Sequence, residues 1–163
     1  MSTKINHQEF RKAMAGFTTG ICVLGAKRND GVQIGMTVNS FSSVSLDPPL
    51  VLVCLGNETP RTHEIIDAGK FSISILAEDQ KAMSDHFAKP GEGKIPEQGC
   101  YTAANGSPLV AGAVTTLECD LEATLLAGDH QIVIGRVSKL DLAQDRVPLL
   151  YCQGRYKRPG DDL

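Results

Sequence analysis

The segment that most constrains the fold is LVAGAVTTLECDLEATLLAGDHQIVIGRVSKLDL, which covers residues 109–142. Apolar and polar residues alternate from Thr116 to Thr124, before Gly128 and Asp129, and the stretch after this pair is rich in Ile and Val. Alternation with a period of two is typical of a strand, and a Gly-Asp pair favours a turn. The segment therefore predicts two long antiparallel strands joined by a turn at Gly128-Asp129.

Shorter segments predict more strands and three short helices. The predicted strands are ICVLGAKR, VQIGMTVNS, PLVLVCL, FSISIL and VPLLYCQGRY. PLVLVCL is continuously apolar, which favours burial on both faces, whereas the alternation of FSISIL predicts one solvent-facing side. Helices are expected after Asn6 as a cap with Gly16 and Gly20 near the end, from Pro60 to the residue before Gly69, and over 78–89. Because most strands follow one another as hairpins, the pattern indicates one mainly β domain with short helices over residues 1–163, arranged as an antiparallel barrel.

Composition excludes several classes of function. The net charge of −3 leaves no basic stripe for nucleic-acid phosphates, so no nucleic-acid partner is expected. No apolar run approaches the ~20 residues that span a bilayer, and the N-terminus lacks a secretory apolar segment, so we expect a cytoplasmic protein without a membrane partner. Five cysteines without a C-x-x-C pair predict neither disulfides nor a zinc site, and no metal is expected.

One segment beside the predicted core is unusually rich in polar side chains. Residues 35–49, GMTVNSFSSVSLDPP, carry six hydroxyl or amide side chains in a strand-like context. Two interpretations stand side by side: these side chains satisfy local backbone in turns, or they bind the edge of a flat polar heterocycle. The glycine-rich G-x-G-x-x-G and the G-x-S-x-G nucleophile motif are both absent.

As a set, five segments resemble the short-chain flavin reductase family, the reductase components of two-component flavin-dependent monooxygenases. They are FRKAMAGFTTGICVLGA, GMTVNSFSSVSLDPPLVLVCL, RTHEIIDAGKFSISILAEDQ, NGSPLVAGAVTTLECDLEATLLAGDHQIVIGRV and PLLYCQGRY, in the family's order. The resemblance implies an antiparallel split β-barrel of the FMN-binding type, assembled as a homodimer with a flavin near the dimer interface.

The resemblance also implies which residues form the site. Pro60 stands where many relatives have a serine, so the usual hydroxyl and N–H for the flavin phosphate are missing there. His130 is the expected catalytic residue, with a role in binding and aligning the nicotinamide, and Tyr156 is expected beside it. The expected flavin contacts are Thr37, Val38, Asn39, Ser40, Ser42, Ser43, Cys54, Thr59, Thr62 and Phe87.

The implied activity is transfer of a hydride from NADH, or alternatively NADPH, to FMN or FAD. The reduced flavin would then serve a partner monooxygenase. Two alternatives use related barrels: a protein that binds FMN tightly and carries electrons, and a pyridoxamine-phosphate oxidase-like enzyme. The second would need an Arg and Lys cluster for its substrate phosphate, which the predicted strands lack. A plain ligand-binding or interaction barrel without catalysis would require the matches at GDH and GRY to be coincidental.

Overall fold

Strands dominate the described part of the chain, which is residues 5–89, 91 and 93–160 of a computed structural model. The helices are α1 (His7–Met14), α2 (Pro60–Ala68) and α3 (Lys81–Ala88), and a 3-10 turn at Glu78–Gln80 precedes α3. The strands are β1 (Thr19–Gly20), β2 (Cys22–Lys27), β3 (Gln33–Val38), β4 (Phe41–Leu46), β5 (Pro49–Gly56), β6 (Lys70–Ile75), β7 (Cys100–Thr102), β8 (Pro108–Val110), β9 (Thr115–Ala127), β10 (His130–Leu142), β11 (Leu150–Cys152) and β12 (Arg155–Lys157).

Seven strands form one antiparallel sheet in the order β3-β2-β6-β9-β10-β5-β4. The long hairpin β9–β10 lies near its centre and pairs from Thr115 opposite Leu142 to Ala127 opposite His130, which confirms the predicted turn and pairing. The predicted start at Leu109 is wrong, because Leu109 and Val110 belong to the separate strand β8. The two edge strands, β3 and β4, follow each other in the chain with only Asn39 and Ser40 between them. Three Cα steps span at most about 11 Å, so the sheet must curl until its two edges meet at that point.

The core has two parts, one on each face of the sheet near β2. Leu24 belongs to the main cluster, whereas its neighbour Val23 belongs to the second, because successive side chains of a strand point to opposite faces. Helix α2 contributes Ile65 to the main cluster, and α3 contributes Phe87 to the second. The two helices are therefore anchored on opposite faces of the same sheet region.

The helix boundaries follow local chemistry closely. Asn6 caps α1, since its side-chain oxygen accepts a hydrogen bond from the backbone N–H of Gln8 at 2.8 Å. Helix α2 begins at Pro60 and ends before Gly69, whose φ of +67° is the left-handed conformation that glycine adopts readily. In the described residues, no helix is long and apolar enough to cross a membrane.

Two predictions about strand faces are wrong. Strand β5 is not buried on both faces: Val51, Val53 and Leu55 are buried, but the alternate residues from Leu50 to Cys54 are only partly covered. Only one face of β5 packs on the main core, so its continuous apolar sequence leaves an incompletely covered apolar face.

The prediction for strand β6 is wrong in the opposite direction, since its serines are buried rather than solvent-facing. Ser72 and Ser74 are covered by the short hairpin β7–β8, which the sequence did not predict. The Ser72 hydroxyl donates to the carbonyl of Pro108, and the Ser74 hydroxyl accepts from the Val110 N–H at 3.0 Å. The predicted last strand is likewise two short strands, β11 and β12, joined by a turn at Gln153 and Gly154.

Candidate functional site

A cavity of about 830 Å³ lies between β3, the start of α2 and the end of α3. Thr37 from β3, Thr59 before α2 and Phe87 from α3 all line it, so the fold brings together three of the predicted flavin contacts. The volume falls within the range of ligand pockets for small molecules, roughly 300–1,000 Å³. Phe87 is buried against Gly35, where an added Cβ would lie 2.6 Å from the Phe87 ring. A glycine at position 35 therefore allows the ring to close one wall of the cavity.

The start of α2 separates the two predicted threonines into different roles. The hydroxyl of Thr62 is fully buried and donates to the Gly56 carbonyl at 2.8 Å, so it holds the helix onto the end of β5. Thr59 is the N-cap residue, but its side chain forms no cap hydrogen bond and lines the cavity instead. Of the two hydroxyls, only that of Thr59 is placed to meet a ligand.

Arg61 is a cavity residue that sequence analysis missed. It is only 9% exposed, and its guanidinium donates to the carbonyls of Gly35 (3.1 Å), Lys89 (3.2 Å) and Gly91. The sequence carried one signal for it, because a cation in the first turn of a helix opposes the helix dipole and needs a compensating reason. Arg61 ties the segment after α3 to the edge strand β3 and so closes the cavity wall.

The charges around the cavity favour an anionic ligand. The pair Arg28–Glu64 spans its rim at 3.1 Å, and Arg28 also pairs with Asp30. Positive side chains nonetheless outnumber carboxylates along the lining, and a concave surface of one sign attracts ligands of the other. The positive lining residues are Arg28, Arg61, Lys89 and Lys94, and the negative ones are Glu58 and Glu64.

A hydrogen-bonded chain runs from the cavity through α3 to Tyr156. The Thr37 hydroxyl donates to the Ser84 carbonyl at 2.7 Å, and the Ser84 hydroxyl lies 2.9 Å from the Tyr156 hydroxyl. Tyr156 lines a separate groove of about 550 Å³, beneath the Lys81 ammonium, which is 5.0 Å from the ring centre. Burial is the main cause that raises the pKa of Tyr156 above its ordinary value. The described structure thus places Tyr156 behind α3, outside the lining of the larger cavity.

In the polar segment of residues 35–49, some side chains bond to the backbone and others are exposed, so each of the two interpretations applies to a part of it. The Ser40 hydroxyl donates to the Cys54 carbonyl at 2.7 Å and accepts from the Cys54 N–H at 3.1 Å, which extends the ladder where the backbone bends. Val38 is buried in the main core. Asn39, Ser42 and Ser43 are exposed at the meeting point of the two sheet edges. The hydroxyls of Thr37 and Ser40 therefore serve the backbone, and the exposed members lie at the surface.

His130 lies at the same end of the sheet as the start of α2 and is not among the residues that line the cavity. It is the first residue of β10 and pairs with Gly56, while the Asp129 carbonyl accepts from the Asn57 N–H at 2.9 Å. Nδ1 of His130 lies 2.7 Å from Oδ1 of Asp129, a carboxylate that can only accept. The hydrogen bond from His130, and then the charge of its ring, lower the pKa of Asp129. The half-exposed imidazole is therefore held by Nδ1, which leaves Nε2 to face a ligand.

Chemically, the arrangement is a binding site with few acid–base groups. Apolar walls from Met36 and Phe87 stand beside a cationic rim, and one oriented histidine lies at the sheet end. In the part of the chain that the structure describes, no group of three or more His, Cys, Asp or Glu side chains is arranged to hold a metal ion. Such a site suits a flat, anionic ligand that lies between apolar walls and a positive rim.

Known proteins match this chain along nearly its whole length. The family described as "Flavin reductase like domain" matches residues 14–160. The NADH-dependent flavin reductase StyB of Pseudomonas fluorescens is 41% identical over 150 residues, 90% of this chain and 86% of the relative. The reductase component of 4-hydroxyphenylacetate 3-monooxygenase from Thermus thermophilus is 37% identical, covering 93% of this chain and 95% of that protein. Among solved structures, the styrene monooxygenase flavin reductase of Pseudomonas putida S12 superposes with a TM-score of 0.85 at 39% identity, over 94% of this chain and 99% of that one.

Proposed function

The chain belongs to the flavin reductase-like family, and on this premise we propose that it is an NADH-dependent flavin reductase. It takes a hydride from NADH and delivers it to FMN or FAD, and the reduced flavin then serves a partner monooxygenase. The observation that carries the proposal is the cavity where Thr37, Thr59 and Phe87 converge under a positive rim. In this proposal the enzyme prefers NADH as the hydride donor. Assays with NADPH measure how far it also accepts that donor.

The residues present fit a flavin. Met36 and Phe87 offer apolar contact to a flat ring, and the lining charges suit a phosphate. The exposed Asn39, Ser42 and Ser43 provide polar groups for the ring edge, and Cys54 lies beside them through its bonds with Ser40. Val38 and Thr62 support these contacts from the core, since both are buried. A bound flavin supplies the hydride acceptor.

His130 has a binding role in this proposal. Because Nδ1 of His130 is directed to Asp129, Nε2 is the ring nitrogen left to meet the carboxamide of the nicotinamide. Direct hydride transfer needs no general base, so alignment of the two rings is the main task of the protein. Tyr156 supports the same side from behind α3, through its contact with Ser84.

We further propose that the curled sheet is a split β-barrel and that two copies form a homodimer with the flavin near their interface. Support for the barrel comes from the two sheet edges that meet at Asn39 and Ser40. Support for the dimer comes from the partly covered apolar face of β5 and from the exposed Leu46, Leu125 and Leu126 nearby in the sheet. The five cysteines are all free, which fits a protein of the reducing cytoplasm.

The test is NADH consumption by the purified protein with and without added flavin. We expect a colourless protein that oxidises NADH only when free FMN or FAD is added, measured with both flavins and with both NADH and NADPH. A firmly yellow protein that is indifferent to added flavin would support an electron carrier instead.

The role of His130 is tested in the same assay with His130→Ala. We expect a higher Michaelis constant for NADH and a lower turnover, with flavin affinity retained. Gln131→Ala is the matched control, because its side chain points to the other face of the same strand. A His130→Ala variant with unchanged kinetics for NADH would remove His130 from the site.

A further inference from the structure

Arg61 differs from three other arginines of this chain in the kind of partner that its guanidinium contacts. Arg28, Arg136 and Arg146 each form an ion pair with a carboxylate. Arg61 is more buried than any of them, yet all its contacts among the described residues are with backbone carbonyls. A buried charge is costly unless an opposite charge compensates it. Carbonyl oxygens carry only partial charge, so the guanidinium retains a demand for an anion.

The position of Arg61 is fixed before any ligand arrives. Its three carbonyl partners come from β3 and from the segment after α3, and they occupy three of the five N–H donors of a guanidinium. Gly93 makes this packing possible: a Cβ there would lie 2.8 Å from Nε of Arg61 and 2.6 Å from the Gly35 carbonyl. Its φ of +57° is also one that glycine tolerates. The charge is thus preorganised at the cavity wall, and binding need not order a long side chain.

Pro60 explains why the chain needs such a charge. Thr59, Pro60 and Arg61 are consecutive and all line the cavity. Proline offers neither a hydroxyl nor an N–H to an anion, so position 60 contributes no hydrogen bond there. The adjacent guanidinium has the donors and the full positive charge that a phosphate ester prefers.

We propose that Arg61 recognises the phosphate of the flavin in this chain, in place of the hydrogen bonds that Pro60 cannot supply. The inference rests on the proposed function, because it assigns the phosphate of that flavin to one residue. It differs from a purely structural role for Arg61, in which the side chain would only hold the cavity wall in place. The two roles predict different results for flavins with and without a phosphate.

The experiment compares the binding of FMN and of riboflavin, which lacks the phosphate, to the 163-residue chain. Arg61→Lys keeps the charge and loses the planar fork, whereas Arg61→Gln keeps an N–H donor and loses the charge. We expect the preference for FMN over riboflavin to stay within about threefold of the original in Arg61→Lys. In Arg61→Gln it should fall by about tenfold or more, the size expected for a lost charge-assisted hydrogen bond. Riboflavin affinity should change less than FMN affinity.

Arg146→Gln is the matched control, since Arg146 also donates to a carbonyl, that of Gly112, but pairs with Asp79 outside the cavity. It should leave the preference unchanged. Equal weakening of FMN and riboflavin in Arg61→Gln, or no weakening, overturns the inference. If the original protein neither binds nor reduces any flavin, the proposed function itself fails, which is a separate result.

A second variant keeps the test decisive if Arg61→Gln does not fold. Pro60→Ser restores a hydroxyl at the start of α2 without touching Arg61. If Arg61 already meets the phosphate, this substitution should raise FMN affinity by less than about threefold. A larger gain, specific to FMN, would mean that the phosphate contact was missing and would overturn the inference.

Discussion

Helices α1 and α2 are nearly equal in length and amphipathic, but the chain treats them differently. Helix α2 buries Arg61, Thr62 and Ile65 and is tied to β5 through Gly56. Helix α1 has no buried residue, and Phe10 and Met14 are each 54% exposed. Phe17, just after the helix, is 78% exposed.

Helix α2 packs against the core of its own chain, whereas the apolar face of α1 is exposed in the single chain. An isolated helix of eight residues is unstable in water, because short helices do not recover the cost of nucleation. The backbone holds α1 at its end, where the Ala15 carbonyl accepts from the Gln153 N–H at 2.9 Å. The exposed apolar side chains of α1, like the partly covered face of β5, are what the proposed second copy would bury.

The largest expected effect comes from truncating the buried side of α2. Ile65→Ala removes a fully buried side chain from the main core and should lower the free energy of unfolding by about 3 kcal/mol. Because the contact lies within one chain, the loss should be the same at every protein concentration. Urea denaturation at two concentrations measures it. A loss below about 1 kcal/mol would mean that α2 is no better anchored than α1.

The next effect concerns the exposed side of α1. Phe10→Ser combined with Phe17→Ser should weaken the proposed dimer by about 2 kcal/mol or more, as expected for aromatic anchors of an interface. Analytical ultracentrifugation should then show a shift from dimer to monomer in the micromolar range. Lys12→Ser, also on α1, is the control and should leave the dimer intact. A protein that is monomeric before any substitution would contradict the reason given for the exposed aromatic residues.

The same contrast explains which parts of the structure were predictable from sequence. The bounds of α2 and the β9–β10 turn follow from neighbouring residues: Pro60 starts the helix, Gly69 ends it, and Gly128-Asp129 makes the turn. The burial of Ser72 was not predictable, because a hairpin some 36 residues away covers it. Local patterns fix an element, whereas the covering of its faces depends on distant segments.

The candidate site divides in the same way. The resemblance selected Thr37, Thr59 and Phe87, which converge on the cavity. It did not select Arg61, whose partners lie 26 to 30 positions away in sequence. It also left open whether a given hydroxyl serves the protein or a ligand, since the partner of Thr62 is a carbonyl that no sequence motif reveals.

A smaller effect sharpens the comparison within α2 itself. Thr62→Val removes the hydrogen bond to Gly56 and should cost about 1 kcal/mol of unfolding free energy, with FMN affinity little changed. Thr59→Val should show the reverse, a weaker FMN complex and unchanged stability, because its hydroxyl has no cap bond to lose. Thermal denaturation and FMN titration on both variants give the four values. If Thr62→Val weakens FMN binding more than Thr59→Val does, the hydroxyl of Thr62 serves the ligand after all.

The smallest effect is a change in thiol reactivity with no expected change in stability. Cys54 lies at the proposed flavin site, and Cys152 lies beside Gln153, the residue that anchors the end of α1. Both are partly exposed, whereas burial raises the pKa of Cys22 and Cys119 to about 12 and that of Cys100 to about 11. At pH 7 these three thiols, whose pKa is raised, are ionised to about one part in ten thousand or less, so they should react slowly with a disulfide reagent.

Added FMN should therefore slow the labelling of Cys54 and leave that of Cys152 unchanged, as followed by mass spectrometry of the labelled peptides. Cys54→Ala, which lacks the protected thiol, identifies the signal. Protection of both thiols would indicate that the ligand also closes the α1 side, which would weaken the division between the two helices. Protection of neither would place the flavin away from Cys54, and the contacts proposed for Asn39, Ser42 and Ser43 would have to be reassigned with it.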